Sequence, residues 1–237
     1  LFREFEVILK NGHHLKIATK RFLSIACPNI GAIHYSVQPV NKACDFKFTI
    51  YLDADVKNED SNYDEKFWDQ VSQQQFENES YLHVKTKKSG FHLCTGTIYR
   101  VFVDDVLQKT KSSKSSRDKY MDESFSISAI HGQEVTIEKY AANISGLYHN
   151  QDDLNGRAKE ELRKAASKGF NVLFEEHEDI WNEKWKHSDI IIHGDVSAQQ
   201  AVRYNIFQLN QTYTGDDERL NIGPKGFTGE KYGGSTY

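Results

Sequence analysis

The stretch from Asn221 to Tyr237, NIGPKGFTGEKYGGSTY, gathers five glycines and two lysines. Segments of this kind can cradle phosphate, because glycine lets backbone N–H groups approach an anion closely. Two phosphate motifs are nearly met, and both fail. A Walker A loop needs G-x-x-x-x-G-K-[ST]. Gly229 and Gly234 have the spacing, but Ser235 stands where the lysine must be. The dinucleotide pattern G-x-G-x-x-G fails because Pro224 takes the first glycine position ahead of Gly226 and Gly229. The segment also follows a helix rather than joining a strand to one. What remains is an ordered loop with Lys225, Tyr232 and Tyr237 as polar and aromatic handles beside Gly234.

A second candidate is DADVKNEDSNYDEKFWD, residues 53–69. It lacks the central glycine of a calcium loop. It reads as a solvated acidic loop or as a sugar-holding one. In the second reading Tyr63, Phe67 and Trp68 offer ring faces to sugar C–H groups, and the carboxylates accept their hydroxyls.

Other constellations fall away. HEDIW at 177–181 has no second histidine at the zinc-protease spacing, so His177 reads as a packed helix residue. His13 and His14 are adjacent in a strand and point to opposite faces, a poor arrangement for one metal. No G-x-S-x-G exists for a nucleophile elbow. KSSKSSRDKY, residues 111–120, could grip phosphate or RNA but reads as a solvated loop. The residues alone thus name no catalytic group and no metal site.

The elements that would position these candidates follow from hydrophobic period. Over the first ~140 residues the apolar positions alternate with period two. Phe5, Val7 and Leu9 share a face, and Asn11-Gly12 then signals a type I′ hairpin. Phe46, Phe48, Ile50 and Leu52 share another, and Phe125, Ile127 and Ala129 a third. Such strands imply antiparallel sheets packed as a sandwich. Past Gln151 the period becomes helical. Ala158, Leu162 and Ala165 mark one helix, with Gly169 as its C-cap. A second runs from Phe170 through Leu173, Phe174, His177, Trp181 and Trp185, a stripe expected to bury both tryptophans. A short strand, DIIIHGD, is expected next. A capping box of Ser197 and Gln200 then opens a third helix with Ala198, Val202, Ile206 and Leu209 on one face.

The 237 residues carry a net charge of -4, which gives no footing for nucleic acid. No apolar run is long enough for a membrane helix. LFREFEVILK carries charges where a signal peptide would be apolar, so the chain is expected to begin inside a fold. Cys27, Cys44 and Cys94 form no CxxC and read as reduced thiols of a cytoplasmic protein.

HEDIWNEKWKHSDIIIHGD, QQAVRYNIFQLNQTY and LNIGPKGFTGEKYGG together resemble glycoside hydrolase family 65. RFLSIACP and the acidic stretch extend the likeness over most of the chain. The kojibiose- and trehalose-acting members typically carry A-K-G-L-T-G-E-G-Y and then G-H. Here Gly223-Pro224-Lys225-Gly226-Phe227 and Ser235-Thr236-Tyr237 depart from that, toward the maltose-acting members.

The resemblance implies a mainly β chain with added helices. An antiparallel super β-sandwich, here partial, is followed by a helical linker and the first helix of an (α/α)6 barrel. The corresponding boundaries are 1–150, 151–194 and 195–237. It implies inverting phosphorolysis of maltose with inorganic phosphate as co-substrate and no cofactor, by a longer, homodimeric enzyme. Its general acid would lie beyond Tyr237, so no catalytic residue is assigned and the chain alone is expected to be inactive. Lys225, Tyr232, Gly234 and Tyr237 would line the rim of the sugar-phosphate site. A partial sandwich should also leave strand edges and apolar surface exposed. The competing reading is a stand-alone sugar-binding or scaffolding module built around Tyr63 and Trp68.

Overall fold

The computed structural model describes residues 1–57, 65–212 and 215–219. Tyr63, Lys225, Tyr232, Gly234 and Tyr237 lie outside the described residues. Eleven described strands run in chain order as β1 (Phe2–Ile8), β2 (His14–Leu23), β3 (Ile30–Pro39), β4 (Cys44–Asp53), β5 (Trp68–Phe76), β6 (Glu79–Thr86), β7 (His92–Val103), β8 (Val106–Gln108), β9 (Ser112–Arg117), β10 (Tyr120–Ala129) and β11 (Val135–Ser145). Three helices follow, α1 (Leu154–Lys168), α2 (Phe170–Ser188) and α3 (Val196–Thr212). The chain forms two units. Leu1–Val56 and Phe67–Glu178 make the first; Lys57–Lys66 and Asp179–Tyr237 make the second.

In the first unit every strand pairing is antiparallel. One sheet has the order β1-β2-β3-β11-β7-β6-β5, with β8 added to β7, and the other is β4-β10-β9. The alternation read from sequence appears as register. Phe48 stands opposite Phe125 and Phe46 opposite Ile127. Their side chains meet Leu15, Val37, Tyr99, Val101, Val135 and Ile137 of the large sheet, making the core between the sheets. Tyr99 stacks on Phe125 with ring centres 5.3 Å apart.

The other face of the large sheet carries α1 and the start of α2. Leu154, Ala158, Leu162, Ala165, Phe170 and Leu173 bury against Tyr81, Tyr140, Ala142 and Ile144. The central strands are thus covered on both faces, which explains their long apolar runs. The helix lies close because Gly96 has no side chain: a Cβ there would stand 2.7 Å from Leu162 Cδ1 and 2.8 Å from Tyr81 Cδ1. Polar pairs fix its register. Arg163 clasps Glu79 at 3.1 Å, Asn155 donates to Ser72 at 3.1 Å, and Asn29 donates to Glu161 at 3.0 Å. Gly169, at φ 84°, ends α1 as its C-cap, its N–H bonded to Ala165 O.

Several local expectations change. Asn11-Gly12 is not a two-residue type I′ turn. Leu9 N donates to His13 O and Gly12 N to Leu9 O, both at 2.8 Å, leaving a three-residue loop in which Gly12 takes the positive φ. The Ser/Lys run is not a loop: Ser112–Arg117 is the edge strand β9, paired to β10. Apart from half-buried Ser112, its serines, Lys114 and Arg117 are exposed, so no apolar alternation announces it, and a lysine suits an exposed edge. Exposed apolar surface does occur on the outer strand β1, at Phe2, Phe5 and Ile8.

In the second unit DIIIHGD is not a strand. The Gln199 side chain receives Ile192 N–H at 2.7 Å and donates to Ile190 O at 2.8 Å, so one amide supplies the pairing a neighbouring strand would give. Helix α3 begins at Val196, before Ser197, and Asp195 caps it by accepting Ala198 N–H at 2.9 Å. Trp181 and Trp185 are half-buried rather than enclosed. Trp181 packs on Phe207 of α3 with ring centres 5.1 Å apart.

Candidate functional site

The glycine-rich stretch follows α3 in the chain, and side-chain contacts hold α3 within the second unit. Arg203 holds Asp189 through Nε and Nη2, at 2.9 and 2.6 Å. Together with Gln199 and the Trp181–Phe207 contact, this pins residues 189–195 to the helix. Asp189 and Arg203 are 14 residues apart, and no local pattern in the sequence announces their pairing.

The carboxylates here are unsuited to donating a proton. Hydrogen bonding from Arg203 holds Asp189 below its ordinary value. Lys186 does the same to Glu183. A general acid toward a glycosidic oxygen needs the opposite shift. Asp189 and Glu183 also border a broad, open hollow with Asp179, Asn182 and Trp185. Among the described residues, no three side chains of metal-ligating type converge.

The acidic stretch divides between β4, the residues after it and β5. Phe67 precedes β5, and its carbonyl accepts Lys87 N–H at 2.8 Å. Trp68 opens β5 opposite Thr86 and packs on the cluster of Leu52, Leu82, Val84 and Met121. Its ring is therefore partly spent on the sandwich core.

His177 is a packing residue. Its Nδ1 accepts Ile25 N–H at 3.2 Å, and its ring lies 4.9 Å from that of Phe22. Burial holds its basicity below the usual histidine value. His14 is bound to Glu6 at 2.7 Å. All three cysteines are free, and burial pushes the Cys94 thiol up to about 12, which makes it unreactive.

Residues 1–184 match the glycosyl hydrolase family 65 N-terminal domain, and residues 203–237 match the central catalytic domain of the same family. The chain is 34% identical over 237 residues to maltose phosphorylase of Bacillus subtilis (strain 168), covering 100% of this chain and 31% of that protein. It is 30% identical over 234 residues to alpha,alpha-trehalose phosphorylase of Thermoanaerobacter brockii, covering 94% and 29%. With kojibiose phosphorylase of the same organism it shares 25% over 244 residues, covering 100% and 32%. A solved structure of a kojibiose phosphorylase candidate from the human microbiome superposes with TM-score 0.84 at 25% identity, over 95% of this chain and 28% of that one. The chain therefore spans about a third of the length of the curated relatives it matches. Sandwich, helices and terminal stretch together place it: the chain belongs to glycosyl hydrolase family 65.

Proposed function

We propose that this chain is the sandwich, linker and opening barrel segment of an inverting disaccharide phosphorylase acting on maltose. The observation that carries the reading is the 34% identity to a maltose phosphorylase across all 237 residues. The maltose-type spelling of Gly223–Phe227 and Ser235–Tyr237 supports it. The division proposed is sandwich over 1–150, helical linker over 151–194 and barrel from 195.

In this reaction a carboxylic acid protonates the glycosidic oxygen and releases glucose. Phosphate attacks the anomeric carbon from the opposite face, so the C–O bond to the leaving glucose breaks as the C–O bond to phosphate forms. The product is β-glucose 1-phosphate. No second catalytic carboxylate is needed, but donors must hold phosphate in line. Lys225, Tyr232, Gly234 and Tyr237 are the residues proposed at the rim of that site. No residue of this chain is proposed as the acid. Phosphate is a co-substrate and no cofactor is proposed. The three free thiols fit a cytoplasmic setting, and a homodimer is the proposed assembly of the complete enzyme.

Parallel assays of the product of the complete reading frame with maltose, trehalose and kojibiose test the reading. Phosphate-dependent turnover should be largest with maltose. A clear preference for trehalose or kojibiose would replace the substrate, and no phosphorolysis of any of them would remove the reaction.

A further inference from the structure

The face of the β4-β10-β9 sheet turned away from the inter-sheet core is polar, flat and aromatic at one end. Tyr51 and Tyr120 lie there with ring centres 6.1 Å apart and planes 21° from parallel. Tyr51 is 55% exposed. The Arg117 guanidinium lies 4.0 Å from the Tyr120 ring centre, so Tyr120 is held flat while Tyr51 presents its face. Further along the strands Ser115 donates to Asp122 at 2.6 Å, and Thr49 and Ser124 share a hydrogen bond of 2.8 Å. A shallow depression of about 380 Å³ follows, bordered by Lys47, Lys111, Ser113, Ser124 and Ser126. From Tyr120 to Ser126 the face runs roughly 20 Å, at about 3.4 Å per residue.

We infer that this face binds a neutral oligosaccharide chain, a glucan. Three features select that ligand. The tyrosine pair offers a planar surface to the C–H face of a pyranose. The ladder of hydroxyl and carboxylate groups matches a run of sugar hydroxyls. Lys47, Lys111 and Arg117 are set against Asp45, Asp53 and Asp122, so no field of one sign forms, and the charge pattern suits a neutral polar chain rather than nucleic acid or a polyanion. Exposed Tyr51 and half-buried Tyr120 on the outer face add little to the core, which lies on the other side of the sheet.

The test is isothermal titration of the intact chain with maltoheptaose in phosphate-free buffer, so that its failure is separate from any failure of phosphorolysis. Saturable binding in the low millimolar range or tighter is expected. Tyr51→Ala should weaken it by at least about fivefold, the scale of one aromatic contact. Tyr51→Phe should retain it, since the ring face and not the hydroxyl does the stacking. Saturation-transfer NMR on the unaltered chain gives a readout that does not depend on a variant folding: the sugar C–H signals should receive transfer. Absence of saturation, or equal binding by Tyr51→Ala with an unchanged melting temperature, overturns the inference.

Discussion

His83 Nε2 and His92 Nδ1 lie 2.9 Å apart, joined by one hydrogen bond between neighbouring strands β6 and β7. Only one of the two nitrogens can carry the shared proton. His83 is 5% exposed, and burial, then the charge His92 would carry, hold it below the ordinary histidine value. The folded state therefore binds fewer protons here than the unfolded chain. His177, whose Nδ1 accepts from Ile25 N–H, is shifted the same way by burial. Stability is fully present above the unfolded value of about 6.5 and is lost as pH falls below it. The urea midpoint should drop between pH 7.5 and 5.5. His83→Gln and His177→Gln should each reduce that drop, and the double variant should remove most of it. A flat midpoint across this range would contradict the assignment of both rings as buried and neutral.

Gly96 sets how closely α1 approaches the sheet. An alanine methyl would meet Leu162 Cδ1 and the Tyr81 ring at under 3 Å. Gly96→Ala should cost about 1–3 kcal/mol by overpacking. Leu162→Ala alone should cost about 2–5 kcal/mol as a cavity. Because each relieves the other, the double variant should be less destabilised than the sum. Chemical denaturation of the four proteins measures the coupling, and strict additivity would show that the contact is not the cause.

Glu79 serves two partners of unequal burial. It receives the Tyr81 hydroxyl at 3.0 Å and the exposed Arg163 guanidinium at 3.1 Å. Arg163→Ala should change stability little, as for exposed pairs generally. Glu79→Ala should cost more, about 1–3 kcal/mol, because the buried tyrosine hydroxyl loses its acceptor. Adding Tyr81→Phe to Glu79→Ala should recover part of that loss. Denaturation midpoints that rank the two single variants the other way would refute this division.

Asp195, and not the Ser197 expected from sequence, caps the start of α3. Asp195→Ala should lower the stability of the second unit by about 1 kcal/mol, as loss of a cap does. Ser197→Ala should be close to neutral. Helix-resolved hydrogen exchange distinguishes them.

Both residue types can cap, which is why sequence alone chose the wrong one. The same logic separates what was legible from what was not. β4 and β10 were readable because each has one face in the core and one in water, so Phe46, Phe48 and Ile50 alternate with polar residues. β9 was not, because an edge strand of four serines, Lys114 and Arg117 has no apolar face to alternate. The Ile190–Ile192 run carries strand propensity, yet its backbone partner is the side chain of Gln199, a tertiary contact no local pattern encodes. The candidate site was legible as a spelling of residues 221–237 shared with a family, not as chemistry.

The most direct test of the central claim is an NMR assay of the enzyme encoded by the complete reading frame, incubated with maltose and inorganic phosphate. The account predicts phosphate-dependent consumption of maltose with glucose and β-glucose 1-phosphate formed in equal amounts. The isolated 237-residue chain should form neither. Release of glucose without phosphate, formation of the α-anomer, or inertness of the complete enzyme toward maltose would contradict it.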